Sequence, residues 1–409
     1  MPKMKPTEKT KKNSSKVSSR LSLGERVPRL RFPGFDGEWE AKTFSEIADG
    51  FDYGINAAAV EFNGKHKYIR ITDIDDTSHK FIGNPCVSPS GEIEEKYKVQ
   101  IGDILLARTG ASVGKSYLYD VCDGELYFAG FLIRARVNPK YDPRFVFYIT
   151  CTPTYARWVS LISMRSGQPG INAEEYSQYK LFIPEGKERT KIADFLSFLD
   201  SRIAAQRKLV ELLKKHKRRL LREVFEENNE GDYRPFSEIA KRRNDKIAPM
   251  PDSTLKCIEL EHIEPETGRI IGSVPLKRQT SLKNFCRPDD IIFGKLRPYL
   301  RKFAFAEDDS AASSETWVLV AVKDILPRFL FYLIQSEPFM RAASVSSGTK
   351  MPRSEWSNVA GARFRIPDER RQCIIAESFS LFDKRIQESQ LIAEAMERVK
   401  RGLLQALFV

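Results

Sequence analysis

The stretch FIPEGKERTKIADFLSFLDSRI, residues 182–203, returns in altered form as FRIPDERRQCIIAESFSLFDKRI, residues 364–386. Six of the twelve residues in 192–203 are identical to their counterparts in 375–386. In both copies, proline and acidic residues precede apolar residues that recur at helical spacing. These patterns predict two long helices, over 188–226 and 368–408.

The repeat extends over most of the chain. Four further pairs of strings keep the same order: TFSEIADG (43–50) and PFSEIAKR (235–242), KYIRITDID (67–75) and KCIELEHIE (256–264), IGDILLARTG (101–110) and RPDDIIFGKLRP (287–298), and RFVFYI (144–149) and RFLFYLI (328–334). ELYFAGFLIRARV (125–137) and ETWVLVAV (315–322) are typical of buried strands, and 144–160 and 328–344 are typical of short helices. The part of each repeat before its long helix is therefore expected to be a mixed α/β domain.

The long helices are expected to pair, because either helix alone would leave its apolar stripe exposed to water. The predicted fold class is α+β, with two similar α/β domains in pseudo-twofold arrangement, separated by two long antiparallel paired helices that form a coiled-coil-like rod. The predicted limits are a disordered basic tail (1–24), a first domain (25–183), a first long helix (184–229), a second domain (230–366) and a second long helix (367–409).

Composition narrows the class of partner. The chain has 409 residues, a net charge of +12 and a pI near 9.3, which favours a polyanionic partner such as nucleic acid or an acidic membrane face. No apolar run approaches the length of a membrane span, and the first 24 residues lack the apolar segment of a secretory signal. The six cysteines include no C-x-x-C pair, so we predict no metal site or disulfide framework, and a reducing cytoplasm fits.

The loop RTGASVGKSY, residues 108–117, resembles a nucleotide-binding loop but has the wrong spacing. A Walker A loop requires glycine where Thr109 stands, and the second copy, GKLRPYLRKF (294–303), has no G-K-[ST]. Two interpretations remain open. The loop is either a glycine-rich β-turn between strands 102–108 and 115–121 with Lys115 solvated, or a basic turn that approaches DNA.

Candidate DNA-binding residues follow from the second interpretation. In the first copy they are Arg108, Thr109, Lys115 and Tyr117, and in the second Lys295, Arg297, Tyr299 and Arg301. A second pair of loops, SMRSGQPGIN (163–172) and SVSSGTKMPR (344–353), adds Arg165, Gln168, Lys350 and Arg353, since Arg and Gln can read base edges. These loops are otherwise ordinary polar surface. The basic run 206–222 could follow phosphates, form a solvated helix face or meet an acidic partner.

Taken together, the repeat, the strings FSEIA and GDILLARTG, and the shared entry to the long helices resemble the DNA-specificity subunit of type I restriction–modification systems, over about 37–409. The resemblance implies that the two α/β domains are target recognition domains, each reading one half of a bipartite target. It implies that the helical rod sets the spacer between the half-sites and docks the methyltransferase subunits. It also implies that the chain has no catalytic activity.

The same resemblance implies the partners. They are double-stranded DNA, two adenine-specific methyltransferase subunits that carry S-adenosylmethionine, and a restriction endonuclease/translocase subunit that uses ATP and Mg. It implies no cofactor in this chain, no membrane and a cytoplasmic location. The alternatives are an NTPase or nuclease that uses the Gly110–Ser116 loop, and a stand-alone DNA-binding scaffold.

Overall fold

The computed structural model describes residues 26–164, 169–227, 231–345 and 351–409, with the backbone alone for residue 227. The predicted tail, 1–24, lies outside these residues. The chain divides into two compact units, the first formed by the residues up to Ala205 with Ala393–Val409 and the second by Gln206–Ile392. This division cuts both long helices, so it does not test the predicted domain limits.

The first unit contains an antiparallel four-stranded sheet in the order β2-β9-β6-β7. Around it, β1 pairs with β10, β3 with β5, and β4 with β8, the last pair being parallel. We call residues 40–183 the first head. Its described strands are β1 Glu40–Thr43, β2 Ala48–Tyr53, β3 Ala59–Glu61, β4 Lys67–Ile69, β5 Val87–Pro89, β6 Asp103–Ala107, β7 Ser116–Leu118, β8 Leu126–Phe128, β9 Leu132–Val137 and β10 Lys180–Ile183.

Short helices cover one side of the first core. They are α1 Phe44–Ile47, α2 Pro143–Thr150, α3 Pro153–Ser163 and α4 Ala173–Ser177. Asp142 and Thr152 cap α2 and α3, and each is followed by proline at the first helical position. The predicted helical region 144–160 is therefore two helices, because the cap and proline at Thr152–Pro153 start a second helix.

The second unit repeats most of this topology. Its antiparallel four-stranded sheet has the order β12-β20-β17-β18, β11 pairs with β21, and β14 lies parallel to β19. We call residues 232–366 the second head. Its described strands are β11 Asp232–Pro235, β12 Ala240–Arg242, β13 Lys246–Ile247, β14 Lys256–Ile258, β15 Val274–Pro275, β16 Lys283–Cys286, β17 Ile291–Gly294, β18 Phe303–Phe305, β19 Ser310–Ala312, β20 Thr316–Ala321 and β21 Arg363–Ile366. Its short helices are α6 Pro327–Leu333, α7 Glu337–Ser344 and α8 Trp356–Gly361.

The central strands explain the continuous apolar runs in the sequence. Ile104 and Leu106 of β6 face the main core of the first unit, whereas Leu105 and Ala107 face a second apolar cluster around Phe128. Because successive side chains of a strand point to opposite faces, a strand buried on both faces is apolar throughout. The run GDILLA is thus explained by two cores, one on each side of the sheet.

The two long helices are α5, Gly186–Arg222, with 37 residues, and α9, Glu369–Ala406, with 38 residues. At 1.5 Å per residue each is about 56 Å long. A π-helical turn, Glu223–Glu227, follows α5. Both predicted helices are confirmed, and α5 ends a few residues before its predicted limit.

Within the second unit the helices pair antiparallel. Gln206 Nε2 donates to the Ser389 carbonyl at 3.1 Å, and Lys217 Nζ to Asp383 at 2.6 Å, so residue numbers rise on one helix as they fall on the other. Within the first unit, Ile192 and Leu196 of α5 share one core with Leu404 of α9 and with Phe408, which follows α9. The predicted α+β fold with paired long helices is confirmed. None of the helices in the described ranges combines the length and apolar character of a membrane span.

Candidate nucleic-acid interface

The two predicted loops lie side by side in the first head. Thr109 pairs with Gly170 in an antiparallel bridge, and the Ile171 N–H donates to the Arg108 carbonyl at 2.9 Å. The Arg108 N–H donates to the Phe131 carbonyl at 3.0 Å. We call residues 108–110, 131 and 169–171 the first loop junction. Backbone hydrogen bonds fix three separate segments there, so their side chains share one surface region.

The second head has the same junction. Leu296 pairs with Arg353, the Ser354 N–H donates to the Lys295 carbonyl at 2.8 Å, and the Lys295 N–H donates to the Glu315 carbonyl at 3.0 Å. We call residues 295–297, 315 and 352–354 the second loop junction. The backbone pairing is therefore the same in both heads, although the second loop has no glycine where the first has two.

The backbone pairing at the two junctions changes which residues of the loops 163–172 and 344–353 are equivalent. The sequence alignment of 163–172 with 344–353 sets Gly170 against residue 351. The structure matches Gly170 with Arg353, which is a shift of two residues.

The turn that follows each junction requires an unusual backbone. Gly110 and Gly114 have φ values of +76° and +86°, and a Cβ at Gly114 would lie 2.6 Å from Val159 Cγ1. In the second head, Arg297 and Arg301 both have φ of +51°. The left-handed conformation costs a non-glycine residue roughly 1–2 kcal/mol. Because such strain clusters at functional sites, Arg297 and Arg301 mark this turn as a candidate functional site.

Lys115 is held by the protein itself. Its side chain is 11% exposed, its Nζ donates to the Ile74 carbonyl at 3.0 Å, and it forms an ion pair with Asp76. Lys302 has the equivalent place in the second head and donates to the Leu260 carbonyl at 2.6 Å. Lys115 is therefore mostly buried and bonded within the protein, which favours a role in stabilising the loop over the predicted DNA contact.

Ser116 and Tyr117 are buried. The Ser116 hydroxyl accepts a hydrogen bond from Thr150 at 2.7 Å, and the Tyr117 hydroxyl donates to Asp123 at 2.6 Å. Burial raises the pKa of Tyr117 well above its ordinary value. The burial of Tyr117 disfavours the expected DNA contact, because its side chain has no exposed surface in this structure. A nucleotide-binding loop needs its lysine and serine free, so these contacts also disfavour the NTPase interpretation.

Arg108 is the cation of the first junction. Its guanidinium stacks 4.7 Å from the centroid of Tyr53, and its buried Nε has no hydrogen-bond partner among the described residues. Tyr53 is 42% exposed and Phe131 is 62% exposed. Sequence reasoning missed both aromatic residues. Phe131 lies in a run interpreted as one strand, and Gly130, where the chain leaves β8 and enters β9, was the signal of a break.

The second junction presents different side chains. Arg297 is exposed, and its side chain makes no hydrogen bond or ion pair with any described residue. Tyr299 is 59% exposed, and Lys295 is half-buried. Arg301 instead donates to Glu337 at 2.5 Å.

Arg353 is paired rather than available. Its Nε donates to Glu315 at 2.9 Å, and this hydrogen bond holds the pKa of the Glu315 carboxyl below its ordinary value. Three further predicted residues, Arg165, Gln168 and Lys350, lie outside the described residues, so their positions are not assigned.

The basic residues of the run 206–222 on α5 differ in their burial and in their partners. Lys217 is 4% exposed, whereas Lys208 and Lys215 face solvent. Arg218 donates to Glu266 at 2.6 Å, and Arg219 to Glu223 at 2.7 Å. The run is therefore not one continuous basic face, since buried and paired cations interrupt it.

Comparisons with known proteins match different parts of the chain. Residues 37–215 match the model of the family described as Type I restriction modification DNA specificity domain. The chain is 22% identical, over 59% of its length and 64% of the relative, to the type I restriction enzyme MjaVIII specificity subunit of Methanocaldococcus jannaschii. It is 24% identical to the MjaX specificity subunit of the same organism, over 46% of this chain and 45% of that relative. The matches thus span less than two thirds of either relative.

The fold has a solved counterpart. The crystal structure of a type I restriction–modification system S subunit from M. genitalium superposes with a TM-score of 0.58. The match covers 94% of this chain and 99% of that chain at 14% sequence identity. At this identity the likeness concerns the fold alone.

Proposed function

We propose that this chain, which belongs to the family of type I restriction–modification DNA specificity subunits, selects the DNA sequence on which a type I complex acts. Each head would be a target recognition domain that reads one half of a bipartite target. The chain would contribute recognition alone, and the chemistry would belong to partner subunits. One observation carries the proposal: two junctions have the same backbone pairing and different side chains.

Two domains that recognise different half-sites require the same backbone conformation but different side chains. The backbone pairing holds each junction in the same conformation, whatever its side chains. Arg108, Tyr53 and Phe131 would contact DNA in the first head, and Lys295, Arg297 and Tyr299 in the second. Arginine and lysine can bind guanine edges or phosphates, and exposed aromatic rings can stack on bases. The net charge of +12 supports binding to a polyanion.

The long helices would set the spacer and dock the methyltransferase subunits. Phe198 on α5 and Leu381 on α9, at equivalent positions of the repeat, are 65% and 68% exposed. Exposed apolar side chains of this size favour a protein partner. We infer two methyltransferase subunits that carry S-adenosylmethionine, and an endonuclease/translocase that uses ATP and Mg. The chain itself would bind no cofactor and would act in the cytoplasm, where its DNA lies.

Co-expression with the neighbouring methyltransferase tests the assembly. We expect the two proteins to elute together in size-exclusion chromatography and to methylate adenine within a bipartite sequence, mapped by sequencing that detects methyladenine. Elution of this chain alone would favour the stand-alone scaffold. ATP hydrolysis by the isolated chain, lost in Lys115→Ala, would favour the NTPase alternative.

A further inference from the structure

A buried polar network joins three elements of the second unit. Lys217 Nζ, on α5, donates to Asp383 Oδ1 on α9 at 2.6 Å and to Gln335 Oε1 at 2.9 Å. The hydroxyl of Tyr332, on head helix α6, donates to Asp383 Oδ2 at 2.9 Å. Lys217 Nζ also lies 5.2 Å from the centroid of the Tyr332 ring. One aspartate therefore connects both long helices to the head.

The first unit contains an equivalent set of lysine, aspartate and tyrosine. Lys400 Nζ, on α9, lies 2.5 Å from Asp200 Oδ1 on α5, and the Tyr148 hydroxyl, on head helix α2, donates to Asp200 Oδ2 at 2.8 Å. Lys400 Nζ lies 5.5 Å from the centroid of the Tyr148 ring. The lysine and the aspartate of this network are each 183 residues from their counterparts in the other. The lysine comes from α9 in one network and from α5 in the other.

Stability alone does not explain such networks. A buried ion pair loses the hydration of both charges, and replacing it with apolar residues is often neutral or stabilising. Burial lowers the pKa of Lys217, against the opposing effect of Asp383, as expected for a charge with an unfavourable site and one good partner. What the pair adds is selectivity, because a displaced helix would separate the buried Lys217 from the partly buried Asp383.

Apolar stripes alone specify helix register weakly. Residues at i, i+3, i+4 and i+7 present a similar apolar surface one turn further along, and one turn is about 5.4 Å. The observed register places an aspartate of each long helix beside both a lysine of the other helix and a tyrosine of the head. The lysine–aspartate and tyrosine–aspartate contacts therefore specify the register and the position of the head on the helix pair together.

We propose that these networks are register locks, the first formed by Lys400, Asp200 and Tyr148 and the second by Lys217, Asp383 and Tyr332, and that they set the spacer length which the chain accepts. The proposal rests on the proposed function and assigns positioning residues to it. A slip of one turn moves a helix by about 5.4 Å, which is the rise of one to two base pairs at about 3.4 Å each. The locks would exclude such slips.

The test uses the complete complex with its methyltransferase subunits. The wild-type complex first defines the half-sites and spacer by methyladenine mapping, and a DNA library then varies the spacer by up to two base pairs. The variant combines Lys217→Met, Asp383→Asn, Lys400→Met and Asp200→Asn. We expect unchanged half-sites and methylation of altered spacers increased roughly tenfold, as loss of hydrogen bonds to charged groups implies.

The matched control is Lys384→Met, which makes the same chemical change at an exposed position next to Asp383. It should leave spacer selectivity unchanged. A folded fourfold variant that keeps the wild-type spacer selectivity overturns the proposal. If that variant does not fold, Tyr148→Phe with Tyr332→Phe, which loses only two hydroxyl groups, is measured in the same way, and strict spacing in this variant also overturns it. A wild-type complex with an undivided target contradicts the proposed function itself, before any variant is made.

Discussion

Two arginines of the second head adopt the backbone conformation that glycines adopt in the first. Arg297 and Arg301 have φ of +51°, and Gly110 and Gly114 stand at the matching positions. Glycine would satisfy this turn with less strain. Arg301 is held by Glu337, whereas the exposed Arg297 side chain has no bond to a described residue, which leaves it for the proposed DNA contact.

Arg297→Gly should separate binding from stability. We expect the free energy of unfolding to change by less than about 1 kcal/mol, since relief of the left-handed strain offsets the added freedom of glycine in the unfolded chain. DNA containing the second half-site should bind roughly tenfold more weakly, as for loss of one base or phosphate contact. Urea unfolding and fluorescence anisotropy measure the two effects. Equal affinity of Arg297→Gly and wild type would remove Arg297 from the interface.

Arg108→Ala should weaken DNA binding, whereas Lys115→Ala should lower stability. Arg108→Ala should weaken DNA binding, and if it contacts a phosphate it should reduce the slope of log affinity against log salt by about one unit. Lys115→Ala should leave that slope unchanged and cost about 1–2 kcal/mol of stability, because the Ile74 carbonyl and Asp76 lose their partner. A reduced salt slope in Lys115→Ala would instead restore Lys115 to the interface.

The sequence predicted the loops better than it predicted their individual residues. Charge and glycine content singled out the loops but not the backbone pairing that brings them together, because composition is a local property. Whether Lys115 faces solvent or Ile74 depends on residues about 40 positions earlier in the chain, which spacing does not reveal. Tyr53 and Phe131 were missed for the same reason, since exposure of an aromatic ring is a property of the folded surface.

At the scale of elements, the segment 26–39 secures the first unit. Arg31 forms a bidentate ion pair with the buried Glu188 of α5 at 2.7 and 2.8 Å. The Leu30 N–H donates to the Ala406 carbonyl near the end of α9 at 2.9 Å. This segment lies between the predicted tail and β1, and sequence analysis placed it in the first domain without any specific contact.

Arg31→Ala should destabilise the first unit by about 2–3 kcal/mol, because the Glu188 carboxylate stays buried without its partner. Arg31→Ala with Glu188→Gln should recover part of that loss, since the remaining amide is neutral. Thermal unfolding of the three proteins provides the comparison. Equal melting temperatures for Arg31→Ala and wild type would mean that the ion pair contributes nothing to the fold.

The long helices were predicted from the sequence, whereas the short strands were predicted only in part. The helices α5 and α9 were predicted because apolar residues recur at helical spacing over nearly forty residues. The run 125–137 was interpreted as one strand and forms two, β8 and β9, with the break at Ala129–Phe131. The sheet order β2-β9-β6-β7 depends on pairings between distant strands, so the periodicity of a single strand could not provide it.

At the scale of the molecule, duplication of the sequence explains why the two units have the same structural features. Each unit contains a four-stranded sheet, a pairing between the first and last strands of its head, a loop junction and a register lock. Few residues are identical between the two units. Side chains at the junctions have diverged while the lock residues have not. This division matches a protein in which reading varies between the heads and their positioning is preserved.

The central claim is that each head reads its own half of the target, and a head exchange tests it most directly. Residues 38–180 are replaced by the first head of another family member, and the methylated sequence of the complex is mapped. We predict that one half-site changes to that of the donor, while the other half-site and the spacer stay as in wild type. A change in both half-sites, or in neither, would contradict the account.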